Sequence, residues 1–292
     1  MTAWLWVSLA IAGDPYVQVL GVAQDAGHPQ AGCTRECCEM AFKDPSRGHR
    51  ASSVAIVDPD SGGWWLVDAS PDLPRQIHGL PGELSGVLLT HAHIGHYTGL
   101  MHLGREVMGV QGVDVWAMPR MGAFLSSHEP WASLERQGHV ALRALAADTP
   151  VTLSPRVTVT PLQVPHRDEL SETVGFVIRG PSRAVLYLPD IDKWERWDTR
   201  IEDVVAGVDV ALLDGTFFAD GELPGRDMSV IPHPFIAESM ARFAPLPKDE
   251  RAKVRFIHLN HTNPALDASS DAVKRIRGAG MDVCEEGERH AL

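Results

Sequence analysis

The sequence predicts an α/β fold in which two mixed β-sheets pack face to face and helices cover their outer surfaces. Strand patterns arrive in a first and a second block, and helical patterns follow each block. The strict alternation of strand and helix that marks a doubly wound sheet is absent. The chain has 292 residues, 44% of them hydrophobic, and no repeat, low-complexity segment or linker divides it. We therefore expect one large domain over residues 15–292.

The first block contains five predicted strands. They cover residues 16–22, 52–58, 64–69, 86–90 and 113–118. The turn from Pro59 to Gly63 joins the second strand to the third and predicts a hairpin. The fourth strand is continuously apolar, so we expect it to be covered on both faces. Helices are expected at residues 99–109 and 120–128.

The second block returns to strand character after the helical stretch. Its predicted strands cover residues 151–164, 175–180, 184–190, 209–216 and 254–261. Prolines interrupt the first of these strands. The compositions of residues 236–244 and 267–280 favour helices, and a glycine closes the second one.

The charge balance limits the classes of partner. A net charge of -12 argues against a protein that grips nucleic-acid backbones, because that requires a surplus of Lys and Arg on one face. A small-molecule substrate fits better. No apolar run reaches the roughly eighteen residues that a membrane span needs.

The first fourteen residues form an N-terminal extension with two interpretations. Residues 3–12 are almost uninterrupted apolar, and Ala10 and Ala12 make the small-x-small pattern that precedes a cleavage site. The positively charged start of an export signal is missing, and a buried first strand is the alternative. The protein is periplasmic or exported if residues 1–12 are a cleaved signal, and otherwise cytoplasmic.

The segment LLTHAHIGHYTGL at residues 88–100 places three histidines directly after an apolar strand. Side chains two apart on an extended segment point the same way, so His91 and His93 can address one ion. A helical turn that starts near Gly95 directs His96 to an adjacent point. Neutral imidazole is a common zinc ligand, so the segment predicts a metal site; three exposed loop histidines are the alternative.

The segment THAHIGH resembles the HxHxDH signature of the metallo-β-lactamase superfamily. The resemblance implies a four-layer αββα sandwich with metal ions at the edge of the two sheets. It also implies three later ligands, and His166, Asp190 and His258 follow strands in the expected order. Taken singly, each has a structural explanation as a turn residue, a helix cap or a buried core histidine.

Gly95 stands where the signature has an aspartate that ligates the second metal. The resemblance therefore implies a first site of His91, His93 and His166 and a second, weaker site. The residues expected for the second site are His96, Asp190 and His258, helped by water or by Asp25, Asp192, Asp214 or His233. We also expect Gly95→Asp to tighten this second site.

Within the superfamily, three segments resemble the pyrroloquinoline quinone synthesis B family: residues 18–33, 214–228 and 256–267. The phosphonate-pathway cyclic phosphodiesterases are more distantly similar. Clustered cysteines bind a structural zinc in these relatives, which implies a second kind of metal site here. Its expected ligands are Cys33, Cys37, Cys38 and His261, although adjacent cysteines cannot both point easily at one ion. Buried free thiols are the alternative.

These features predict a metal-dependent hydrolase in which water attacks an ester, lactone or phosphodiester bond. The cofactors expected are one or two catalytic Zn²⁺ ions, with Fe or Mn as alternatives, and one structural Zn²⁺. Asp190 and His233 are the candidate catalytic residues, and Arg226 and Asp227 are expected to line the same pocket. Two other functions remain open: an iron-dependent oxidative enzyme of quinone-cofactor synthesis, and a non-catalytic carrier with a degraded site.

Overall fold

The computed structural model describes residues 13–292, which form two seven-stranded mixed sheets with helices on the outside. The export signal predicted at residues 1–12 lies outside this range. Within the range, no helix is long and apolar enough to cross a membrane. The arrangement confirms the predicted fold class.

The two sheets have the same pattern of strand directions. The first sheet contains β1 (Tyr16–Gly21), β2 (Ser53–Asp58), β3 (Gly63–Val67), β4 (Glu83–Leu88), β5 (Val113–Ala117), β6 (Val140–Ala144) and β14 (Arg289–Ala291), in the order β14-β1-β2-β3-β4-β5-β6. The second contains β7 (Val151–Ser154), β8 (Val157–Val164), β9 (Thr173–Arg179), β10 (Ala184–Leu188), β11 (Val210–Asp214), β12 (Val254–Ile257) and β13 (Asp282–Val283), in the order β13-β12-β11-β10-β9-β8-β7. In each sheet the strands from one edge to the middle pair antiparallel and the rest pair parallel.

Nine α-helices lie within the described range. They are α1 (Glu36–Lys43), α2 (Leu73–Gln76), α3 (Ile94–Tyr97), α4 (Pro119–Ser127), α5 (Trp131–Arg136), α6 (Ile201–Ala206), α7 (Ile236–Phe243), α8 (Lys248–Arg251) and α9 (Asp271–Gly278). Helices α2 to α5 pack on the outer face of the first sheet, and α6, α7 and α9 pack on the outer face of the second.

The layer between the sheets is the central core. It contains Phe176 and Tyr187 from the second sheet and Ile56 from the first, all fully buried. Burial of each such side chain contributes roughly 1.5–3 kcal/mol, so this layer holds the two sheets together. The hydroxyl of Tyr187 lies 3.0 Å from Oγ of Ser52, which satisfies the polar groups at the interface.

The strands of both blocks are confirmed, with differences at particular ends. The strand predicted at residues 254–261 ends at Ile257, because His258 has φ of 65° and leaves the sheet. The helix predicted at residues 99–109 is a 3₁₀ helix over Thr98–Leu103. Strands β6, β13 and β14 and helices α1, α2, α5, α6 and α8 were not predicted.

Candidate metal centre

The candidate site lies at one edge of the sandwich, where parallel strands of both sheets end. Strand β4 leads to His91, β10 leads to Asp190 and β12 leads to His258. Because side chains that follow the carboxyl ends of parallel strands gather at one sheet edge, residues distant in sequence meet there.

The first group consists of His91, His93 and His166. One nitrogen from each lies within 4.8 Å of the others. Nε2 of His91 is 2.8 Å from Nδ1 of His93, and the His166 ring centroid is 5.5 Å from that of His91. His93 has an extended backbone immediately before α3, which lets it point the same way as His91. The spacing thus brings together the three nitrogens predicted for a first site.

A second group is formed by buried polar atoms that lack hydrogen-bond partners. Nε2 of His96, Nε2 of His258 and Oδ2 of Asp190 are all buried and unpartnered among the described residues. Oδ2 of Asp190 lies 3.2 Å from Nε2 of His96 and 3.3 Å from Nε2 of His258. Unpaired buried polar atoms are costly, and three that converge on one point fit a cation.

Asp190 lies between the two groups. Its Oδ2 faces His96 and His258, while its Oδ1 is 3.7 Å from Nε2 of His166. The carboxylate is buried, and it also groups with His91 and His96 within 4.8 Å. A carboxylate in this position can contact ions of both groups.

The four residues named as helpers of the second group have different positions. Oδ1 of Asp25 is 3.4 Å from Nε2 of His96. The carboxylate of Asp192 instead accepts a hydrogen bond from Nη1 of Arg196 at 2.6 Å. Asp214 and His233 pair with each other, since Oδ2 of Asp214 is 2.7 Å from Nδ1 of His233.

Two Asp–Thr pairs orient the histidines, one from each half of the chain. In the first half, Oδ2 of Asp68 is 2.7 Å from Nδ1 of His96, and Oγ1 of Thr90 is 3.0 Å from Nδ1 of His91. Oγ1 of Thr90 also donates to Asp68 at 3.0 Å. A bond at Nδ1 fixes the ring and leaves Nε2 free to face an ion.

The second half repeats the arrangement. Oγ1 of Thr216 donates to Oδ1 of Asp214 at 2.7 Å and lies 3.0 Å from Nδ1 of His258. Asp68, Thr90 and Thr216 were not predicted as site residues from the sequence. The available signal was an aspartate at the end of an apolar strand, in LVDA and in ALLDGT.

Burial keeps several of the histidines neutral. Burial and the neighbouring His96 lower the pKa of His91 well below its usual range. Burial lowers the pKa of His166 to about 4 and also lowers the pKa of His258. A neutral imidazole binds a metal ion without first losing a proton.

His96 has the opposite environment. Burial alone would lower its pKa, but Asp68, Asp190 and Asp25 outweigh burial and raise the pKa well above its usual range. Burial would raise the pKa of Asp190, yet His258, His96 and His91 hold it well below its usual range. The carboxylates around His96 therefore favour a positive charge beside them. A bound cation would provide this charge in place of the proton on His96.

His233 lies beside the two groups. It is buried, its ring centroid is 5.1 Å from that of His166, and its Nδ1 is 3.9 Å from Oδ1 of Asp190. Burial would lower its pKa, but Asp214 outweighs burial and raises it. By contrast, Arg226 and Asp227 are exposed, and Asp227 accepts a hydrogen bond from the backbone of Ser229 at 3.0 Å. That these two residues line the pocket stays a prediction.

The cysteine cluster forms a separate group with His261. One ligand atom each of Cys33, Cys38 and His261 lies within 4.8 Å of the others. Cys37 is not one of that group in the described part of the chain, although its thiol lies beside the thiols of Cys33 and Cys38. Its role as a fourth ligand stays a prediction. Cys37 and Cys38 are consecutive residues of α1, and consecutive helical side chains diverge by about 100°. Cys37 also lines a cavity of about 550 Å³, and His261 lines the same cavity.

Comparisons with known proteins agree with this geometry. A sequence profile described as the beta-lactamase superfamily domain matches residues 63–271. Coenzyme PQQ synthesis protein B of Methylobacterium nodulans is 30% identical to the chain, covering 92% of the chain and 97% of the relative.

Two solved structures show the same fold. Zn²⁺-bound PqqB from Methylobacterium extorquens matches with a TM-score of 0.80 and 26% identity, covering 95% of this chain and all of that one. A diphosphatase of the PhnP family matches with a TM-score of 0.69 and 20% identity, covering 97% of this chain and 98% of that one.

Proposed function

This chain belongs to the beta-lactamase superfamily, and on that premise we propose that it is a metal-dependent hydrolase acting on a small molecule. The bond cleaved is an ester, lactone or phosphodiester bond. The observation that carries the proposal is the set of three buried, unpartnered atoms on His96, His258 and Asp190 that converge on one point. The neighbouring group of three histidine nitrogens supports it.

We assign the first metal site to His91, His93 and His166, and the second to His96, His258 and Asp190. A divalent ion held there lowers the pKa of water toward neutrality and polarises the oxygen of the electrophile. An ion held by these three nitrogens would have room for water as a further ligand, as catalytic zinc sites do.

The chain's own residues prepare this chemistry. The Asp–Thr pairs hold the imidazole rings in fixed orientations, which limits reorganisation when substrate binds. The carboxylate of Asp190 links the two proposed sites, because its Oδ1 faces His166 and its Oδ2 faces His258. Accepting a proton from the attacking water is the alternative role for Asp190.

His233 is the candidate general acid. The carboxylate of Asp214 orients its ring at Nδ1 and favours its protonated form. A protonated imidazole beside the metal site can deliver a proton to the oxygen of the leaving group.

Elemental analysis of purified variants tests the site assignment. We expect His91→Ala and His93→Ala each to lose the first-site ion, since each removes one of three ligands. The control is His78→Ala, which changes an exposed histidine outside the site. Full metal content in both site variants would sink the assignment.

Assays on substrate classes test the reaction. We expect the metal-loaded protein to turn over at least one of a panel of esters, lactones and phosphodiesters, and His91→Ala to lose that turnover. Oxygen uptake with bound iron and without hydrolysis would favour an oxidative enzyme of quinone-cofactor synthesis. Ligand binding without any turnover would favour a carrier.

A further inference from the structure

We propose that Asp25 is a ligand of the second metal site, in place of the carboxylate that the superfamily signature carries at the position of Gly95. The inference rests on the proposed function for the identity of the site as a metal centre. It replaces the expectation that Gly95 leaves that site a ligand short.

The position of the Asp25 carboxylate supports this assignment. Its Oδ1 is buried and has no hydrogen-bond partner among the described residues. It lies 3.4 Å from Nε2 of His96, and ligand atoms of Asp25, His96 and His258 all lie within 4.8 Å of one another. Those two nitrogens are themselves buried and unpartnered. Asp25 thus adds a carboxylate beside the same two nitrogens that Oδ2 of Asp190 approaches.

The surroundings of Gly95 explain why it is glycine. The residue lies within α3 and its φ is outside the left-handed region, so its backbone does not require glycine. A Cβ atom added to Gly95 would lie 2.3 Å from Cα of Asp25 and 2.5 Å from its Oδ1. Asp25 therefore occupies the space that a side chain at position 95 would need.

The loop that carries Asp25 is fixed to the segment that carries His258. The backbone N–H of Gln24 donates to the carbonyl of Leu259 at 2.8 Å, and the N–H of Leu259 donates to the carbonyl of Val22 at 2.8 Å. Asp25 and His258 each adjoin this pair of bonds. Two candidate ligands of one ion are thus held together by backbone hydrogen bonds, as a preformed site requires.

With Asp25 in place of a carboxylate at position 95, the second site has two carboxylates and two imidazoles. Asp25 and Asp190 together balance the charge of a divalent ion, and His96 and His258 complete four ligands. The second site is then complete without residue 95. It also follows that Gly95→Asp weakens the site, contrary to the sequence expectation, because the new side chain displaces Asp25.

Metal titration of the apoprotein tests the assignment independently of activity. We expect Asp25→Asn, which keeps the shape of the side chain, to lower second-site affinity for Zn²⁺ by at least about 100-fold. The first-site ion should stay bound. Asp192→Asn is the matched control, since that carboxylate pairs with Arg196, and it should keep both affinities.

A second set of variants changes both residues. Asp25→Gly and Gly95→Asp should each weaken the second site when made alone. Combined in one chain, they should also leave the second site weak, because Cα of residue 25 stays 2.3 Å from the position of a Cβ atom at residue 95. The absorption bands of bound Co²⁺ give a second readout of the ligand set.

Unchanged second-site affinity in Asp25→Asn would overturn the inference. So would second-site affinity at the parent level in Asp25→Gly, folded by circular dichroism. These outcomes are separable from a failure of the proposed function. A protein with the expected metal affinities and no turnover refutes the hydrolase and leaves the role of Asp25 intact.

Discussion

At the scale of single residues, two histidines five positions apart have opposite electrostatic environments. His91 is buried among other imidazoles, and its pKa is lowered. His96 is equally buried but faces Asp68, Asp190 and Asp25, and its pKa is raised. The same side chain thus serves a histidine-rich first site and a carboxylate-rich second site. The difference comes from the residues that surround each ring and not from the motif that carries both.

The proposed role of His233 as general acid can be tested by one substitution. We expect His233→Gln to lower kcat by roughly 100-fold or more, which is the contribution of a positioned general acid. Metal content should stay at the parent level, because the proposed ligands keep their Asp68–Thr90 and Thr216 contacts. Steady-state kinetics and elemental analysis on the same preparation measure both quantities.

Substrates with different leaving groups provide the control for the His233→Gln variant. A substrate whose leaving group needs no protonation should be cleaved by His233→Gln at nearly the parent rate. An equal loss for good and poor leaving groups would mean that His233 positions the site and does not donate a proton.

At the scale of elements, a helix and the segment after β12 share the cysteine site. Cys38 is buried on α1, Cys33 precedes that helix and His261 follows the proposed catalytic His258 by three residues. Burial raises the pKa of Cys38 to about 12, and the backbone N–H of Gln30, which donates to its Sγ at 3.4 Å, only partly offsets this rise. We propose that these three ligands hold a structural Zn²⁺.

Replacing Cys33 and His261 together tests this structural site. We expect the Cys33→Ser, His261→Ala variant to release one zinc ion and to melt several degrees lower, because structural zinc contributes folding free energy. The first-site ion should remain, since its ligands come from other elements. Cys37→Ser is the control and should keep all metal ions. A double variant with unchanged zinc and Tm would reduce the cluster to loop thiols.

Most of the strands could be predicted from the sequence. Strands β1 to β5 and β8 to β12 were found because their apolar patterns have a period of two or are continuous. The spacing of His91, His93 and His96 was informative because all three lie on one strand end and one helical turn. Local geometry and sequence pattern agree in these cases.

The position of Asp25 beside His96 could not be predicted from local sequence patterns. Its place beside His96 depends on hydrogen bonds between residues 22–24 and Leu259, which are separated by most of the chain. It therefore appeared only as one of four candidates. Cys37 could not be distinguished from Cys38 for a related reason, since the start of a helix in the cysteine loop decides which of the two sulfurs groups with His261.

At the scale of the whole molecule, the candidate metal centre lies between two similar halves. The first sheet and its helices supply His91, His93 and His96, and the second sheet supplies His166, Asp190 and His258. Each half also contributes one Asp–Thr pair that orients its own histidines. A metal ion bound by both halves would therefore join them, in addition to the apolar layer between the sheets.

A metal ion bound by both halves should stabilise the folded protein. His166 is the one ligand that the second half gives to the first site, so His166→Ala leaves His91 and His93 on the same loop. Each site saturated at 100 times its Kd adds about 2.7 kcal/mol to the free energy of unfolding, or roughly 5 °C in Tm. We expect Zn²⁺ added to the stripped parent to raise Tm, and His166→Ala to lose the first-site part of that rise. Without metal the variant should melt close to the parent, and His78→Ala should respond to metal as the parent does. An equal metal-dependent rise in His166→Ala would show that the first-site ion does not join the halves.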